Sequence, residues 1–154
     1  MTSRSTVHST FVIEREFAAP APRVFAAWSD ESQKRRWFAC HDDWSMLEYR
    51  LDFRVGGREL NAQARPDGVV HRFEARYFDI IPDERIVYAY AMRIGDANIS
   101  VSLVTVELER RRAKTAMTFT EQVVFLDGPG DVDERREGTE VGLTRLAAQL
   151  DALE

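Results

Sequence analysis

The stretch MLEYRLDFRVGG, residues 46–57, is where the hydrophobic pattern of this chain changes from helical to strand-like. Apolar and charged side chains alternate along it, which predicts a β-strand with one buried face. The apolar face would carry Leu47, Tyr49, Leu51, Phe53 and Val55, and the other face Glu48, Arg50, Asp52 and Arg54. The Gly56-Gly57 pair that ends the stretch predicts a hairpin turn.

Downstream of this turn, the same strand-like pattern recurs. Turn residues occur in RPDG at 65–68 and in Gly95-Asp96. Further strands are predicted over residues 69–81, 84–93, 98–109 and 114–125. Together with the opening strand and the segment between the first two turns, they make six consecutive strands with short connections, which favours an antiparallel meander.

Upstream, the chain begins with a strand and continues with two short helices. Residues 9–18 alternate apolar and polar side chains, so they predict a half-buried strand. Pro22 suits a first helical turn, and Val24, Phe25 and Trp28 follow it at helical spacing. Asp30, with Gln33 three residues later, resembles a capping box that opens a second helix through Trp37.

The C-terminal segment predicts one long amphipathic helix from about Asp133 to Leu153. Its inward stripe would contain Thr139, Gly142, Leu143, Leu146 and Leu150. The predicted fold class is therefore α+β: a curved antiparallel sheet of about seven strands around the last helix, with two short helices after the first strand. We expect a single domain over residues 1–154, with residues 1–9 as a disordered or extended tail.

Composition excludes several classes of function. A net charge of −5 and a pI near 5.3 argue against a nucleic-acid groove, and we interpret Lys34-Arg35-Arg36 as the solvated face of a short helix. A single cysteine excludes an intrachain disulfide and the four-ligand Cys/His zinc patterns. No apolar run approaches the length of a membrane span or signal core, so we expect a cytoplasmic protein without membrane contact.

The stretch ACHDDW, residues 39–44, brings together side chains from which metal and nucleophilic sites are built. Adjacent residues on an extended chain point to opposite sides, so Cys40 and His41 are poorly placed to bind one metal. We therefore predict a loop, with Cys40 and Trp44 near the pocket and the aspartates in water. No metal is expected, and no phosphate loop, dinucleotide fingerprint or H-E-x-x-H motif indicates a cofactor.

Four segments in this order resemble one protein family: residues 15–38, DFRVGG, PDERIVYAY and EGTEVGLTRLAAQL. They are similar to the activator of heat-shock protein ninety ATPase homologue family of the START-like (SRPBCC) superfamily, from about Phe11 to Leu153. The resemblance implies a helix-grip fold with a cavity rather than a particular reaction. The family usually has tryptophan after the glycine near the start of its last helix, whereas this chain has Thr139 after Gly138.

A helix gripped by a bent sheet often leaves a gap, so we predict an apolar cavity between the two. The candidate lining residues are Trp28, Trp37, Phe38, Trp44, Phe53, Phe73, Tyr88, Tyr90, Met117, Phe119, Glu121, Gly142 and Leu146. The aromatic residues could equally fill a core at ordinary density. Gly142 permits either a void beneath the helix or a close approach of the helix to a strand.

Glu121 and His71 are the polar residues on otherwise apolar strand faces. Each would face the cavity if its strand kept register, and a one-residue bulge would turn it to solvent, which we expect for both.

Three functions are compatible with these patterns. The leading one is a domain that binds a small hydrophobic or amphipathic ligand, as a monomer or homodimer. The second is a polyketide cyclase- or hydrolase-like enzyme in the same cavity, which would need an acid/base pair such as Glu121 with His71 or Tyr88. The third is a chaperone ATPase regulator like the family's namesake.

Overall fold

The structure, a computed structural model, describes residues 4–39 and 43–152. Seven strands form one antiparallel sheet in the order β1-β7-β6-β5-β4-β3-β2, so the six later strands are a meander and β1 pairs with the last of them. The strands are β1 Thr6–Phe17, β2 Ser45–Leu51, β3 Arg58–Ala64, β4 Val70–Ile81, β5 Arg85–Ile94, β6 Ala97–Arg111 and β7 Lys114–Leu126. The helices are α1 Ala21–Ser29, α2 Glu31–Phe38 and α3 Val132–Ala152. This confirms the predicted fold class.

The two short helices begin as their sequences predict. Pro20 is the N-cap residue of α1, and Pro22 lies in the first turn, as predicted. A proline in the first turn sacrifices no helical hydrogen bond. The Asp30 side chain accepts a hydrogen bond from the Gln33 amide at 3.1 Å, which confirms the predicted cap of α2.

The predicted turns are also present. The Gly68 amide bonds the Arg65 carbonyl at 2.9 Å, and Gly68 has a φ of +88°, which favours glycine. The Gly57 amide bonds the Arg54 carbonyl at 2.7 Å, which closes the turn before β3.

The strand predicted over residues 46–55 is wrong in two respects. β2 ends at Leu51, and a register shift between Met46 and Glu48 breaks the alternation. Leu47 therefore lies exposed instead of sharing the buried face of Tyr49, and Val55 is exposed in the turn region. A bulge adds one residue to one strand, so it changes the face of every residue on one side of it.

α3 lies against the inner face of the sheet and contacts the short helices. Its buried side chains are Leu143, Leu146 and Leu150, as predicted. Two hydrogen bonds from arginine side chains to α3 carbonyls fasten it: Arg15 of β1 to Glu140 at 3.0 Å, and Arg23 of α1 to Leu150 at 2.7 Å. Among the described helices, none is long and apolar enough to cross a membrane.

Candidate functional site

Most of the residues predicted to line a cavity lie in one buried cluster. Trp28, Trp37, Phe73, Tyr88, Tyr90, Met117, Phe119 and Leu146 belong to the hydrophobic core, and Phe38 and Phe53 pack against it from partly exposed positions. Their rings contact one another: the Phe73 and Tyr90 centroids are 4.6 Å apart, and those of Phe38 and Phe73 are 4.9 Å apart. These aromatic side chains therefore fill much of the space between the sheet and the helices.

Two clefts lie at the ends of the sheet rather than among these rings. One has a volume of about 720 Å³ and is lined mainly by charged residues of β1, β5, β6 and β7, with Met117 as its single member of the predicted set. The other, of about 460 Å³, lies between the β5–β6 turn and the β7–α3 connection. Phe125 and Ile99 help to line this second cleft, which brings it next to the first turns of α3.

Glu121 faces the interior, so the expectation that a bulge would turn it to solvent is wrong. β7 keeps its register through Glu121 against both β1 and β6, and the residue is 1% exposed. Its Oε2 accepts hydrogen bonds from the Tyr90 hydroxyl at 2.5 Å and the Ser102 hydroxyl at 2.7 Å. A buried carboxylate needs such donors, because desolvating it without partners is costly.

Arg135, in the first turns of α3, completes this polar cluster. Its guanidinium lies 3.3 Å from Glu121 Oε2 and donates to the Tyr90 hydroxyl at 2.9 Å and the Ser100 hydroxyl at 2.7 Å. The Arg135 side chain is 15% exposed, so the cluster reaches the surface only at this point. The Arg135 Cζ also lies 5.3 Å from the Phe125 ring centroid, which links the cluster to the second cleft.

The sequence contained one signal for Arg135 that the prediction missed. Arg135 is four residues before Thr139 and seven before Gly142, so it extends the inward stripe of the predicted helix by one turn. Burial of Tyr90 raises the pKa of its phenol, and the Glu121 carboxylate raises it further, so Tyr90 remains a hydrogen-bond donor at neutral pH.

Lys34 is completely buried, which corrects its interpretation as part of a solvated helix face. Its side chain is 0% exposed and donates to Glu59 Oε1 at 2.6 Å and to the Tyr77 hydroxyl at 3.2 Å. Glu59 also accepts hydrogen bonds from the Tyr77 hydroxyl at 2.6 Å and from the Tyr49 hydroxyl at 2.7 Å. Lys34, Glu59, Tyr49 and Tyr77 therefore form a second polar cluster: a buried ion pair whose carboxylate accepts hydrogen bonds from two tyrosines.

Aromatic rings surround the Lys34 ammonium on its remaining sides. The distances from Nζ to the ring centroids are 4.5 Å for Phe38, 5.3 Å for Trp28, 5.5 Å for Tyr88 and 5.9 Å for Tyr77. Burial lowers the pKa of Lys34, and the charge and hydrogen bond of Glu59 oppose that shift. The spacing of Lys34 three residues before the inward Trp37 was the available signal for burial.

Glu59 gave no such signal, because β3 carries polar residues at successive inward positions. Glu59, Asn61 and Gln63 lie opposite Ala75, Phe73 and His71 of β4 and are all buried. The Gln63 amide donates to the Asn61 side-chain oxygen at 2.9 Å. A polar face that points inward cannot be distinguished by pattern from one that points to water.

The acid/base pairs suggested for an enzyme are not joined by a hydrogen bond in the described part of the chain. Glu121 bonds Tyr90 rather than Tyr88. His71 lies on β4, with β5 and β6 between it and β7, and its ring centroid is 4.5 Å from that of Trp44. Glu121 lies in the row of Tyr77 of β4. His71 is therefore three strands and six residues away from it, roughly 14 Å across the strands and roughly 20 Å along them.

Gly142 lies beside another helix rather than against a strand or over a void. A methyl group at this position would be 3.9 Å from the ring carbons and carbonyl oxygen of Trp37 in α2, which is ordinary contact distance. The Thr139 hydroxyl, one turn earlier, bonds the Arg135 carbonyl at 3.1 Å.

Cys40, His41 and Asp42 lie outside the described residues, so the predicted loop ACHDDW stays a prediction for its central part. Trp44 is partly buried and Asp43 is exposed. Within residues 4–39 and 43–152, no three His, Cys, Asp or Glu side chains are grouped as they would be to hold a metal ion.

Known proteins share the fold of this chain. The family described as activator of Hsp90 ATPase homolog 1-like protein matches residues 18–154. An uncharacterised protein from Rhizobium leguminosarum is 52% identical, with 98% of this chain and 99% of that chain covered and a TM-score of 0.94. A Rhizobium loti protein is 43% identical, with 95% and 99% covered and a TM-score of 0.89. No curated protein matches the chain.

More distant structures show the same fold. An AHSA1-like protein from Aeromonas hydrophila is 20% identical over 94% of each chain, with a TM-score of 0.70. The family match spans α1 to the end of α3, and the observed sheet and gripping helix have the architecture that this family implies. The chain therefore belongs to the activator of Hsp90 ATPase homologue 1-like family, within the START-like superfamily.

Proposed function

We propose that this protein binds one small amphipathic ligand between the inner face of the sheet and the first turns of α3. The observation that carries the proposal is the cluster of Arg135, Glu121, Tyr90, Ser100 and Ser102. It places hydrogen-bonding groups and one partly exposed cation beside aromatic rings, which is the composition of a small-molecule site.

The cluster is more polar than packing alone requires. Hydrophobic side chains of similar volume often stabilise a core as well as a buried ion pair does, so a pair near the surface opening suggests a binding role. The indole N–H of Trp28 is buried and has no acceptor among the described residues. An unmet buried donor costs about 1–3 kcal/mol, which an acceptor on a ligand or a bound water would recover.

The second cleft offers a route to this cluster. It is bordered by Phe125, whose ring lies under Arg135. We expect the polar end of the ligand to meet Arg135 and Tyr90, and its apolar part to lie against Phe73 and Met92 on the neighbouring strands. Because rings fill the interior, entry requires the first turns of α3 to move outward.

The test has two measurements on protein purified from its own host. Native mass spectrometry shows whether a small molecule is retained, and titration with Nile red, an apolar fluorescent dye, measures access to the interior. We expect wild-type protein to bind the dye and Arg135→Met to change the dissociation constant by about fivefold or more, or roughly 1 kcal/mol.

Arg136→Met is the matched control, because Arg136 is next to Arg135 but exposed, and its charge pairs with Glu140 on the helix surface. It should leave dye affinity unchanged. Wild-type protein that retains no small molecule and binds no dye would contradict the proposal, as would equal effects of the two substitutions. Turnover of a retained molecule would instead support the cyclase- or hydrolase-like alternative.

A further inference from the structure

The outer face of the sheet, which points away from all three helices, carries an uncharged area across four strands. We call it the neutral band and define it as the outward side chains of residues 10–12, 120–124, 101–105 and 87–91 on β1, β7, β6 and β5. Its apolar members include Val12, Val101 and Leu103, which are 43%, 45% and 41% exposed. Their chain neighbours Phe11, Ser102 and Val104 are buried, so the alternation sets the band outward.

The adjoining strand of the same sheet has a different surface. The outward residues of β4 include Arg72, Glu74 and Arg76, all charged. Strands with one solvated face normally place apolar residues on the buried face and polar residues on the solvated one. Contiguous apolar areas on an exposed face mark interaction sites. The neutral band therefore has the character of a contact surface rather than of a wet face.

An acidic corner borders the band at one end. Glu14 of β1 and Glu107 of β6 both lie opposite Thr118 of β7, one row beyond the band. Glu16 and Glu109 occupy the next row, on either side of Ala116. Glu16 and Glu109 pair with local cations, whereas within the described chain no ion pair involves Glu14 or Glu107. Glu107 lies directly opposite Arg85 of β5, but the Arg85 guanidinium pairs with Asp79 at 2.6 Å.

A basic corner lies on the opposite side of the band and runs from the row of Leu103, which Arg76 and Arg58 share, to the row of Arg72 and Arg93. Arg58 of β3 is directly opposite Arg76 of β4, and Arg72 of β4 is directly opposite Arg93 of β5. Like charges in such positions repel each other. Arg72 pairs with Glu74 at 3.7 Å, but no carboxylate of the described residues pairs with Arg58, Arg76 or Arg93. These three arginines are exposed, so carboxylates from a second chain could reach them and would relieve the repulsion.

We propose that the outer face is the contact surface of a homodimer. A two-fold axis lying in the interface and crossing the band near Leu103 would set the basic corner of one copy against the acidic corner of the other. The same rotation sets the acidic corner of the first copy against the basic corner of the second, so both pairs of corners form together, as in any isologous interface. A second copy of this chain is thus the partner whose charges match the surface, whereas the acidic corner would repel a nucleic acid or an anionic membrane.

The area indicates a weak dimer. Four strands at about 4.8 Å and about five residues at about 3.4 Å cover on the order of 300 Å² per copy, less than half of a standard interface. The charged corners must therefore contribute, and association should weaken with salt. We expect dissociation constants no tighter than the micromolar range.

Sedimentation velocity across a wide range of protein concentration tests the proposal. Wild-type protein should shift from monomer to dimer as its concentration rises, and Leu103→Glu should weaken the dimer about tenfold or more. Leu47→Glu is the control, since Leu47 is 56% exposed on β2 at the far edge of the sheet. Melting curves check that each variant is folded.

Charge reversal gives a second, sharper test. Arg58→Glu with Arg76→Glu makes both corners acidic, and Glu14→Arg with Glu107→Arg makes both basic. Each double variant alone should be monomeric, and a mixture of the two should form a heterodimer. Wild-type protein that stays monomeric at every concentration would overturn the proposal, as would a dimer insensitive to Leu103→Glu or charge-reversed variants that do not associate when mixed.

Discussion

The buried ion pair of Lys34 and Glu59 makes the most demanding prediction about stability. The perturbations are Lys34→Met, Glu59→Gln and the two combined. Lys34→Met leaves a buried carboxylate with only the hydroxyls of Tyr49 and Tyr77, and Glu59→Gln leaves a buried ammonium without its counter-charge. Each single change therefore creates an uncompensated charge in an apolar interior.

Breaking a buried pair in this way costs about 3–5 kcal/mol. For a domain of this length, that loss lowers the melting temperature by roughly 6–20 °C. The double variant has no unpaired charge, and the glutamine oxygen can still accept hydrogen bonds from the tyrosines. We expect it to lose only about 1–2 kcal/mol, so the coupling between the two positions should be about 4 kcal/mol or more.

Urea unfolding followed by tryptophan fluorescence measures all three variants against wild type. Lys114→Met is the control: Lys114 is the other lysine of the chain and pairs with Glu16 at 3.5 Å, with both side chains about half exposed. An exposed pair is worth less than about 1 kcal/mol. Additive losses in the double variant, or equal losses for Lys34→Met and Lys114→Met, would refute the assignment of Lys34 to the interior.

Three further predictions follow from local geometry. Burial is the largest cause that raises the phenolic pKa of all four tyrosines: Tyr49, Tyr77, Tyr88 and Tyr90. Phenol titration by ultraviolet absorbance should therefore show no native tyrosine ionising near its ordinary pKa of 10.0. The stability that these phenols contribute should be retained below about pH 10 and fall above it. Normal titration of any of them in the folded protein would contradict this. Gly142→Ala and Gly138→Ala should each raise stability by up to about 1 kcal/mol in thermal melts, because alanine favours the helix. The added methyl group would meet Trp37 at 3.9 Å at position 142 and nothing within 4 Å at position 138. A loss of stability for Gly142→Ala alone would mean that α3 lies closer to α2. Gly57→Ala should destabilise the fold by about 1–3 kcal/mol or more, because its methyl would overlap the Asp52 carbonyl oxygen, and an unchanged melting temperature would show that this turn relaxes freely.

The order of the secondary structure was predictable from local patterns. The period of two along β4 to β7, the Asp30 cap and the leucine stripe of α3 each arise from interactions within one segment. The turn at Gly68 likewise depends on backbone conformations that its own residues favour. Such features need no knowledge of what lies across the fold.

The site depended on tertiary structure, because the burial of a charge is decided by its partner. Lys34 is buried since Glu59, from a strand 25 residues away, meets it there. Glu121 faces inward since β7 stays in register with two neighbours and Arg135 arrives from α3. The bulge after Met46 reversed the face of Leu47, although the alternation there was regular. Sequence period determines which residues share a face; only packing between distant segments determines whether that face is wet or dry.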